Sequence, residues 1–366
     1  MTGALVGYTI GITGHRRWEE QAEMLARRGA QIVHGPVMHT SLLHDSDATL
    51  QATAEVLRTP PDLVVLTTGI GTRSWFAAAE SAGLDGGLRA VGGGATVVAR
   101  GPKARSAAIG AGLEVDWQAA DETSAEVLAH LATVGVAGRR VAVQRDGGEP
   151  LLADGLRRLG AEVVDVPVYR WDLPERTEPA RRLIDGACDG RLDAVTFTCA
   201  YAVESTFALA TDPAALRAAL AGPVRAVAVG PVCGAALRRH GVDRVVQPGR
   251  ARLGAMVQAL VATLRQDHRL LRHGGGARRR WQGSALVDEA TGEVTTLAPG
   301  EVRVLDTLVR RSPAVVAKAA LVDDGVDPHA AEAAVARLRA KLGPLGGAIR
   351  TVPRRGYVCT LDVSAA

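Results

Sequence analysis

The sequence contains few cysteines and no long apolar run, and each shortage excludes a class of protein. The cysteines have neither the spacing of a metal site nor the density of a secreted disulfide framework; they are Cys188, Cys199, Cys233 and Cys359. We therefore expect reduced thiols, no bound metal and no cofactor. No apolar run approaches the roughly 18 residues that a membrane span needs, and no charged segment followed by an apolar one opens the chain. We expect a cytoplasmic protein that does not contact a membrane.

Positive charge is in excess only near the C-terminal end. The chain has 366 residues and a net charge of +4, and 47% of its residues are hydrophobic, which is enough for two or three domains with real cores. From His268 onward there are 15 Lys and Arg against 10 Asp and Glu, whereas the preceding part has 28 against 29. This asymmetry indicates that the C-terminal end contacts a polyanion; a merely solvated surface is the alternative.

One stretch of the chain occurs twice. Leu156 to Trp171 reads LRRLGAEVVDVPVYRW and Leu25 to Thr40 reads LARRGAQIVHGPVMHT, at an offset of 131 residues. The same offset relates further pairs, namely Gly7 and Gly138, Asp62 and Asp193, Thr67 and Thr198, Ser74 and Ser205, and Phe76 and Phe207. A constant offset across separate blocks predicts a duplicated unit.

The repeated unit has an α/β pattern. Short apolar runs such as Leu63 to Thr67 alternate with amphipathic segments, which is typical of parallel sheets covered by helices. We predict two similar lobes joined by a two-strand connector, because Pro36-Val37 and Pro167-Val168 each follow a strand. The first lobe would comprise residues 1–37 and 170–266, and the second 38–169.

The last hundred residues follow a different plan. Residues 267–283 contain Gly274 to Gly276 and Arg278 to Arg280 without apolar periodicity, so we predict a flexible basic linker. Residues 284–366 predict a winged helix-turn-helix domain. Its expected elements are strands over 284–287 and 294–297, a helix opening at Pro299, a short helix over 317–322, a helix capped by Asp327 and Pro328 and ending near Leu342, and a hairpin around residues 353–356.

This C-terminal part resembles the winged-helix effector domain of OmpR/PhoB-type response regulators. The similarity is carried by LAPGEVRVL from Leu297, VARLRAKL from Val335 and IRTVPRRGYV from Ile349. It implies binding of double-stranded DNA and allows a homodimer on DNA. It places Arg337, Arg339 and Lys341 in the major groove and the following residues in the wing: Arg350, Thr351, Arg354, Arg355 and Tyr357. Ala298 stands where that family has a helix-capping Thr, and no acidic receiver precedes the domain.

Residues 1 to about 266 resemble uroporphyrinogen-III synthase. The matching motifs are IGITGHRR from Ile10, DLVVLTT from Asp62, VPVYR from Val166, DAVTFT from Asp193 and VAVGP from Val227. The resemblance implies that the linear tetrapyrrole hydroxymethylbilane binds between the lobes and cyclises with inversion of its last ring and loss of water. Such a ligand needs donors for several carboxylates and one proton donor.

The candidate ligand-binding residues follow from strand ends and from this resemblance. Arg16, Arg17, Lys103 and Arg145 adjoin predicted strand ends and are candidates for the carboxylates. Thr68 and Thr198, which end two of the motifs, are further ligand candidates. Tyr169 matches the connector tyrosine of the family and would donate a proton to the leaving hydroxyl; a packing role between the lobes is the alternative.

Two departures from the synthase pattern bear on function. The family commonly has Thr where this chain has Val232-Cys233, and another Thr where Ala104 follows Gly101-Pro102-Lys103. Because two hydroxyl donors are absent, we favour a DNA-binding transcriptional regulator whose synthase-like part binds a tetrapyrrole or another polycarboxylate. The alternative is a bifunctional, active synthase carrying a DNA-binding domain. A third hypothesis treats the bilobed part as a sensor of an unrelated ligand or as a protein-docking module.

Overall fold

The computed structural model describes residues 3–42, 47–145, 151–274, 276–322 and 329–366. Within those residues, none of the helices combines the length and the apolar character needed to cross a membrane.

The described residues form helices and strands along the whole chain. The α-helices are α1 (Trp18–Ala26), α2 (Asp47–Arg58), α3 (Gly69–Ser81), α4 (Asp85–Gly94), α5 (Pro102–Gly110), α6 (Ser124–Val134), α7 (Leu151–Arg158), α8 (Glu178–Cys188), α9 (Ala200–Leu209), α10 (Pro213–Ala221), α11 (Pro231–Arg239), α12 (Leu253–Gln266), α13 (Pro299–Arg310) and α14 (His329–Leu342). Two 3-10 helices cover Lys318–Leu321 and Gly343–Ala348.

The strands include several that are only two to four residues long. They are β1 (Thr9–Ile12), β2 (Gln31–His34), β3 (His39–Leu42), β4 (Leu63–Leu66), β5 (Thr96–Ala99), β6 (Trp117–Gln118), β7 (Arg140–Arg145), β8 (Glu162–Pro167), β9 (Tyr169–Asp172), β10 (Ala194–Phe197), β11 (Arg225–Ala228), β12 (Val245–Val246), β13 (Arg269–Arg272), β14 (Arg278–Gln282), β15 (Ala285–Asp288), β16 (Val294–Thr296), β17 (Ile349–Val352), β18 (Gly356–Cys359) and β19 (Asp362–Ala365).

Residues 39–172 form one compact unit, which we call lobe 2. Its five parallel strands lie in the order β6-β5-β4-β7-β8. All four side chains of β4 are buried, which explains its uninterrupted apolar sequence, since a parallel strand with helices on both faces has no wet side. Strands β3 and β9 pair with each other in antiparallel fashion at the two ends of this unit.

Residues 1–38 and 173–366 form the other unit, and its parallel sheet belongs to residues 3–38 and 173–266, which we call lobe 1. The strand order is β12-β11-β10-β1-β2. The offset of 131 residues carries β1 onto β7, β2 onto β8, and β4 onto β10, so the two sheets have the same order. The parallel α/β fold predicted for both lobes is confirmed.

A shared hydrogen bond marks the amino end of both sheets. The Thr9 amide donates to Asp193 Oδ2 at 2.7 Å, and the Arg140 amide donates to Asp62 Oδ2, also at 2.7 Å. The repeat relates the two donors, Thr9 and Arg140, to each other, and likewise the two acceptors, Asp62 and Asp193. The matching sequence positions therefore fulfil the same structural task in each lobe.

The region from 269 to 366, which we call the C-terminal region, begins with strands where a linker was expected. Strands β13 and β14 lie inside an antiparallel sheet with the order β16-β15-β14-β13-β19. The prediction of a flexible linker over 267–283 is therefore wrong. Arginine stems supply apolar surface that a count of apolar residues overlooks, and Arg279 Nη1 donates to the Lys341 carbonyl at 2.8 Å.

Helices α13 and α14 and the hairpin β17-β18 pack around one apolar core beside this sheet. The predicted helix over 317–322 is only a 3-10 turn at Lys318–Leu321. The predicted cap at Asp327 and Pro328 lies outside the described residues. Glu301 caps the start of α13 by accepting from the Ala298 amide at 2.7 Å, which is one half of a capping box, while Ala298 has no side-chain acceptor for the other half.

The buried Asp193 gives a prediction about pH. Burial, together with nearby Asp267, raises the pKa of Asp193 to about 6 despite the hydrogen bond from Thr9. The folded state therefore binds this proton more tightly than the unfolded state, and stability falls as pH rises from about 4 through 6. In the unmodified chain this proton accounts for a decrease of at most about 2 kcal/mol in the free energy of unfolding over that window, and we expect Asp193→Asn to abolish the decrease. Urea unfolding at several pH values measures it.

Asp62→Asn is the matched control, because Asp62 makes the equivalent hydrogen bond from an exposed position. An identical pH dependence of unfolding in Asp193→Asn and Asp62→Asn would contradict the assignment.

Candidate functional site

The carboxyl edge of each parallel sheet is where a ligand site is expected. In lobe 2 the chain turns in opposite directions on either side of β4 and β7, and in lobe 1 it does so on either side of β10 and β1. Open parallel sheets bind ligands at such switch points, outside the carboxyl ends of the strands. The loops after these strands therefore define the candidate site in each lobe.

In lobe 2 a buried glutamine organises the switch point. Gln144 is fully buried, and its Oε1 accepts from the amides of Thr67 at 2.7 Å and Thr68 at 3.0 Å. A side chain at Gly71 would collide with the Gln144 amide group. Thr68 Oγ1 accepts from the Gly71 amide at 3.1 Å and so caps α3. Thr68, a predicted ligand residue, thus shapes the loop, whereas Gln144 was not predicted.

Lobe 1 uses hydroxyl groups and a sulfur at the same places. Thr13 Oγ1 donates to the Thr196 carbonyl at 2.7 Å, and Gln21 Nε2 donates to Thr196 Oγ1 at 2.7 Å. The predicted ligand residue Thr198 is half-buried, with its hydroxyl facing the backbone at Gly14. Cys199 replaces Thr68 as the cap, accepting from the Ala202 amide through Sγ at 3.4 Å.

The four predicted cations differ in how available they are. Arg16 and Lys103 are exposed and have no ion-pair partner among the described residues. Arg17 is exposed but pairs with Glu20 at 2.7 Å, and its backbone is left-handed with φ of 56°. Arg145 pairs with Asp165 at 3.1 Å. Arg16 and Lys103 are therefore the better candidates for a carboxylate.

Two helices present uncapped amino ends at these edges. Gly101-Pro102 opens α5 and Gly230-Pro231 opens α11, and neither has a side-chain cap. Their free amide groups and helix dipoles favour an anion.

Two arginines beside α11 were missed by the sequence analysis. Arg250 and Arg252 are exposed, and Gly230 allows Ala251 to approach so closely that a Cβ at Gly230 would lie 2.7 Å from that of Ala251. The only sequence signal was the RAR run before α12. Its proximity to Gly230 depends on the order of the strands, which the sequence did not specify.

Comparisons with known proteins agree with this arrangement. The family model described as "Uroporphyrinogen-III synthase HemD" matches residues 19–258. The chain belongs to the uroporphyrinogen-III synthase family. It is 31% identical over 254 residues to a Methanothermobacter thermautotrophicus protein named "Putative uroporphyrinogen-III synthase", covering 69% of this chain and 96% of the relative. It is also 31% identical to the uncharacterized Bacillus subtilis protein YjjA, covering 71% of this chain and 97% of that one.

A solved structure supports the same family. A mutant uroporphyrinogen III synthase from Thermus thermophilus aligns with a TM-score of 0.58 and 32% identity, covering 70% of this chain and 98% of that one. The predicted resemblance is thereby confirmed for the synthase part. The family match ends at residue 258, so the C-terminal region lies beyond it.

Tyr169, the predicted proton donor, and Cys233, which stands beside Val232 where the family commonly has Thr, are both buried. Tyr169 is 5% exposed, belongs to the core of lobe 2, and lies near Trp171 with ring centroids 6.2 Å apart. Burial raises the pKa of Cys233 to about 12, so this thiol is not a ready nucleophile. Val232, beside it, is 63% exposed at the start of α11.

Five of the predicted DNA-binding side chains contact other residues of the C-terminal region. They are Arg337, Arg339 and Lys341 on α14, Thr351 on β17 and Tyr357 on β18. The buried Glu301 carboxylate binds Arg337 at 3.2 Å and Lys341 at 2.7 Å. Burial alone would raise the pKa of Glu301, but the bonds from Lys341, the Ala298 amide and Arg337 lower it below its usual value.

Arg339 is held by the hairpin. It donates to the Ile349 carbonyl at 2.9 Å and to Thr351 Oγ1 at 3.0 Å, and its guanidinium lies 5.6 Å from the centre of the buried Tyr357 ring. By contrast, Arg350, Arg354 and Arg355 are exposed and form no ion pair with other described residues.

Gln144 gives a stability prediction. Gln144→Leu would leave the buried Thr67 amide and the half-buried Thr68 amide without their acceptor, and we expect a loss of about 2–4 kcal/mol. Thr13→Val, at the position related by the repeat, is the control. It removes one hydroxyl from a carbonyl that also accepts from the Thr13 amide at 3.3 Å, so about 1 kcal/mol is expected. Urea unfolding measures both, and a smaller loss in Gln144→Leu than in Thr13→Val would refute this role.

Proposed function

We propose that the chain is an active uroporphyrinogen-III synthase, which cyclises hydroxymethylbilane with loss of water. The observation that carries the proposal is the match over residues 19–258 together with near-complete coverage of relatives of that family. This favours the bifunctional alternative over a regulator with an inactive synthase part. The absent Thr at Val232 and Ala104 argues only for a change in ligand contacts.

The ligand's carboxylates would be bound at the sheet edges. Arg16 and Lys103 are exposed cations without an ion-pair partner in the described part of the chain, and the uncapped ends of α5 and α11 offer backbone amides. Arg250 and Arg252 add positive charge beside α11. Such donors replace the hydroxyl groups that the family pattern would otherwise supply, because charged hydrogen bonds to carboxylates are stronger than neutral ones.

The chemical step needs a proton for the departing hydroxyl. The Tyr169 hydroxyl is the candidate donor in this proposal, although most of its ring is buried. Removing a general acid typically lowers kcat about 100-fold or more, so Tyr169→Phe separates a catalytic from a packing role. A packing role predicts a near-normal kcat.

The cation assignments are tested by steady-state kinetics with hydroxymethylbilane. Loss of a charged hydrogen bond is worth about 1.5–3 kcal/mol, so Arg16→Ala and Lys103→Ala should each raise KM about 10- to 100-fold. Arg17→Ala is the control and should change KM less than threefold, because Arg17 already pairs with Glu20. Equal effects at Arg16 and Arg17 would refute the assignment.

We further propose that the C-terminal region is a winged-helix domain that binds double-stranded DNA. The specific observation is that Arg350, Arg354 and Arg355 project from one hairpin without ion-pair partners in the described part of the chain. Arg337 and Lys341 are engaged by Glu301, so the hairpin cations would contribute most of the phosphate contacts.

Salt-dependent binding to a DNA duplex tests this proposal. Arg354→Ala should weaken binding and reduce the slope of log K against log salt by about one, because one phosphate contact is lost. Arg58→Ala, an exposed arginine on α2, is the charge-matched control and should leave the slope unchanged. A slope that is unchanged in both variants would refute the winged-helix assignment.

A further inference from the structure

The C-terminal region is docked on lobe 1 by a close approach of two backbone turns. The Ser284 amide and hydroxyl both donate to the Gly7 carbonyl, at 2.8 and 2.9 Å. Gly7 has φ of +85°, and a Cβ there would lie 2.6 Å from Ala285 Cβ. Gly283, with φ of +51°, faces the same carbonyl so closely that a Cβ could not be accommodated. Two glycines are therefore required at this contact.

Buried polar groups fix the same junction. Gln282 is 1% exposed, and its Nε2 donates to the Val6 carbonyl at 2.8 Å. Beside the junction, the Tyr8 ring stacks on the buried ring of His268, the residue before β13, at 5.9 Å, and the Tyr8 hydroxyl donates to the Leu264 carbonyl of lobe 1 at 3.0 Å. Undocking would break the bond from Gln282 to the Val6 carbonyl and both bonds from Ser284 to the Gly7 carbonyl, so these bonds specify the docked geometry.

The docked segment continues directly into the candidate site. Residues 3–8 lead without interruption into β1, which spans the sheet from Thr9 to Ile12. Thr13, Gly14 and Arg16 follow at the carboxyl edge. Residues 3–8 and Arg16, which has no ion-pair partner among the described residues, therefore lie at opposite ends of one short strand.

The repeat shows that this contact is an added feature. Gly138 is the counterpart of Gly7 in lobe 2 and also has a positive φ, of +73°. A Cβ at Gly138 would meet no described atom within 4 Å. The turn is therefore common to both copies of the repeat, but only the turn in lobe 1 is contacted by the β14-β15 turn.

We propose that docking through Gly7 and Gly283 couples the ligand site of lobe 1 to the C-terminal region. The coupling is a regulation of the proposed synthase site and rests on that proposed function. A porphyrinogen-type ligand held at the carboxyl edge stabilises β1, and β1 in turn stabilises the docked β14-β15 turn. By linkage, a partner that holds the C-terminal region in its docked position strengthens ligand binding by the same factor.

Amide hydrogen exchange on the full chain tests the coupling, with the peptides 9–17 and 278–288 as reporters. In Gly7→Ala the new methyl group displaces the β14-β15 turn, and exchange in both peptides should become at least tenfold faster. Gly138→Ala carries the same substitution at a positive φ without a collision, and it should leave both peptides unchanged. Should Gly7→Ala fail to fold, Gln282→Leu removes the bond to the Val6 carbonyl and serves the same comparison.

The second arm uses uroporphyrin III, the oxidised and fluorescent form of the product, as the probe. In the unmodified chain and in Gly138→Ala, the probe should slow exchange in 278–288 at least threefold, and in Gly7→Ala it should not. Unchanged exchange of 9–17 in Gly7→Ala overturns the coupling. So does probe binding, seen by its own fluorescence, that leaves 278–288 unchanged. Absence of probe binding counts against the proposed function, and the comparison of 9–17 between the two glycine variants then decides the coupling.

Discussion

Each lobe depends on one parallel pairing between chain segments that are far apart in sequence. In lobe 2 this is the pairing of β4 with β7, and in lobe 1 it is the pairing of β10 with β1. The pairing places two loops side by side at the carboxyl edge. At the amino edge, an aspartate that precedes one strand accepts a hydrogen bond from the first amide of the other strand. The position of β1 is constrained from three directions, by β10, by β2 and by the docked C-terminal region.

The duplication explains why the same strand order occurs twice and where the two lobes diverged. Gln144 and Thr13 occupy related positions but bridge the switch point with an amide in one lobe and with a hydroxyl in the other. Thr68 and Cys199 likewise cap equivalent helices with oxygen and with sulfur. The architecture was retained while the groups at the carboxyl edge of the sheet changed, as expected where packing fixes the sheet and the loops carry the variable residues.

Sequence reasoning recovered the parts of the fold that depend on local pattern. The constant offset of 131 residues predicted the duplicated sheets, and apolar runs located β4 and β10. It failed at β13 and β14 for two reasons. Their arginine side chains supply apolar stems that a count of apolar residues overlooks, and the strands and carbonyl groups with which they pair lie elsewhere in the chain. It also missed Gln144 and Arg250, whose roles arise only when strand order brings them to a helix end. Glu301 shows the same limit, since its capture of two cations depends on tertiary packing between α13 and α14.

The central claim is that this chain retains the ring-inverting chemistry of its family. The most direct measurement is chromatographic separation of the product isomers after the full-length protein has been incubated with hydroxymethylbilane. The account predicts that the isomer with the inverted last ring predominates in proportion to protein concentration. Exclusive formation of the uninverted isomer, at the rate seen without protein, would contradict it.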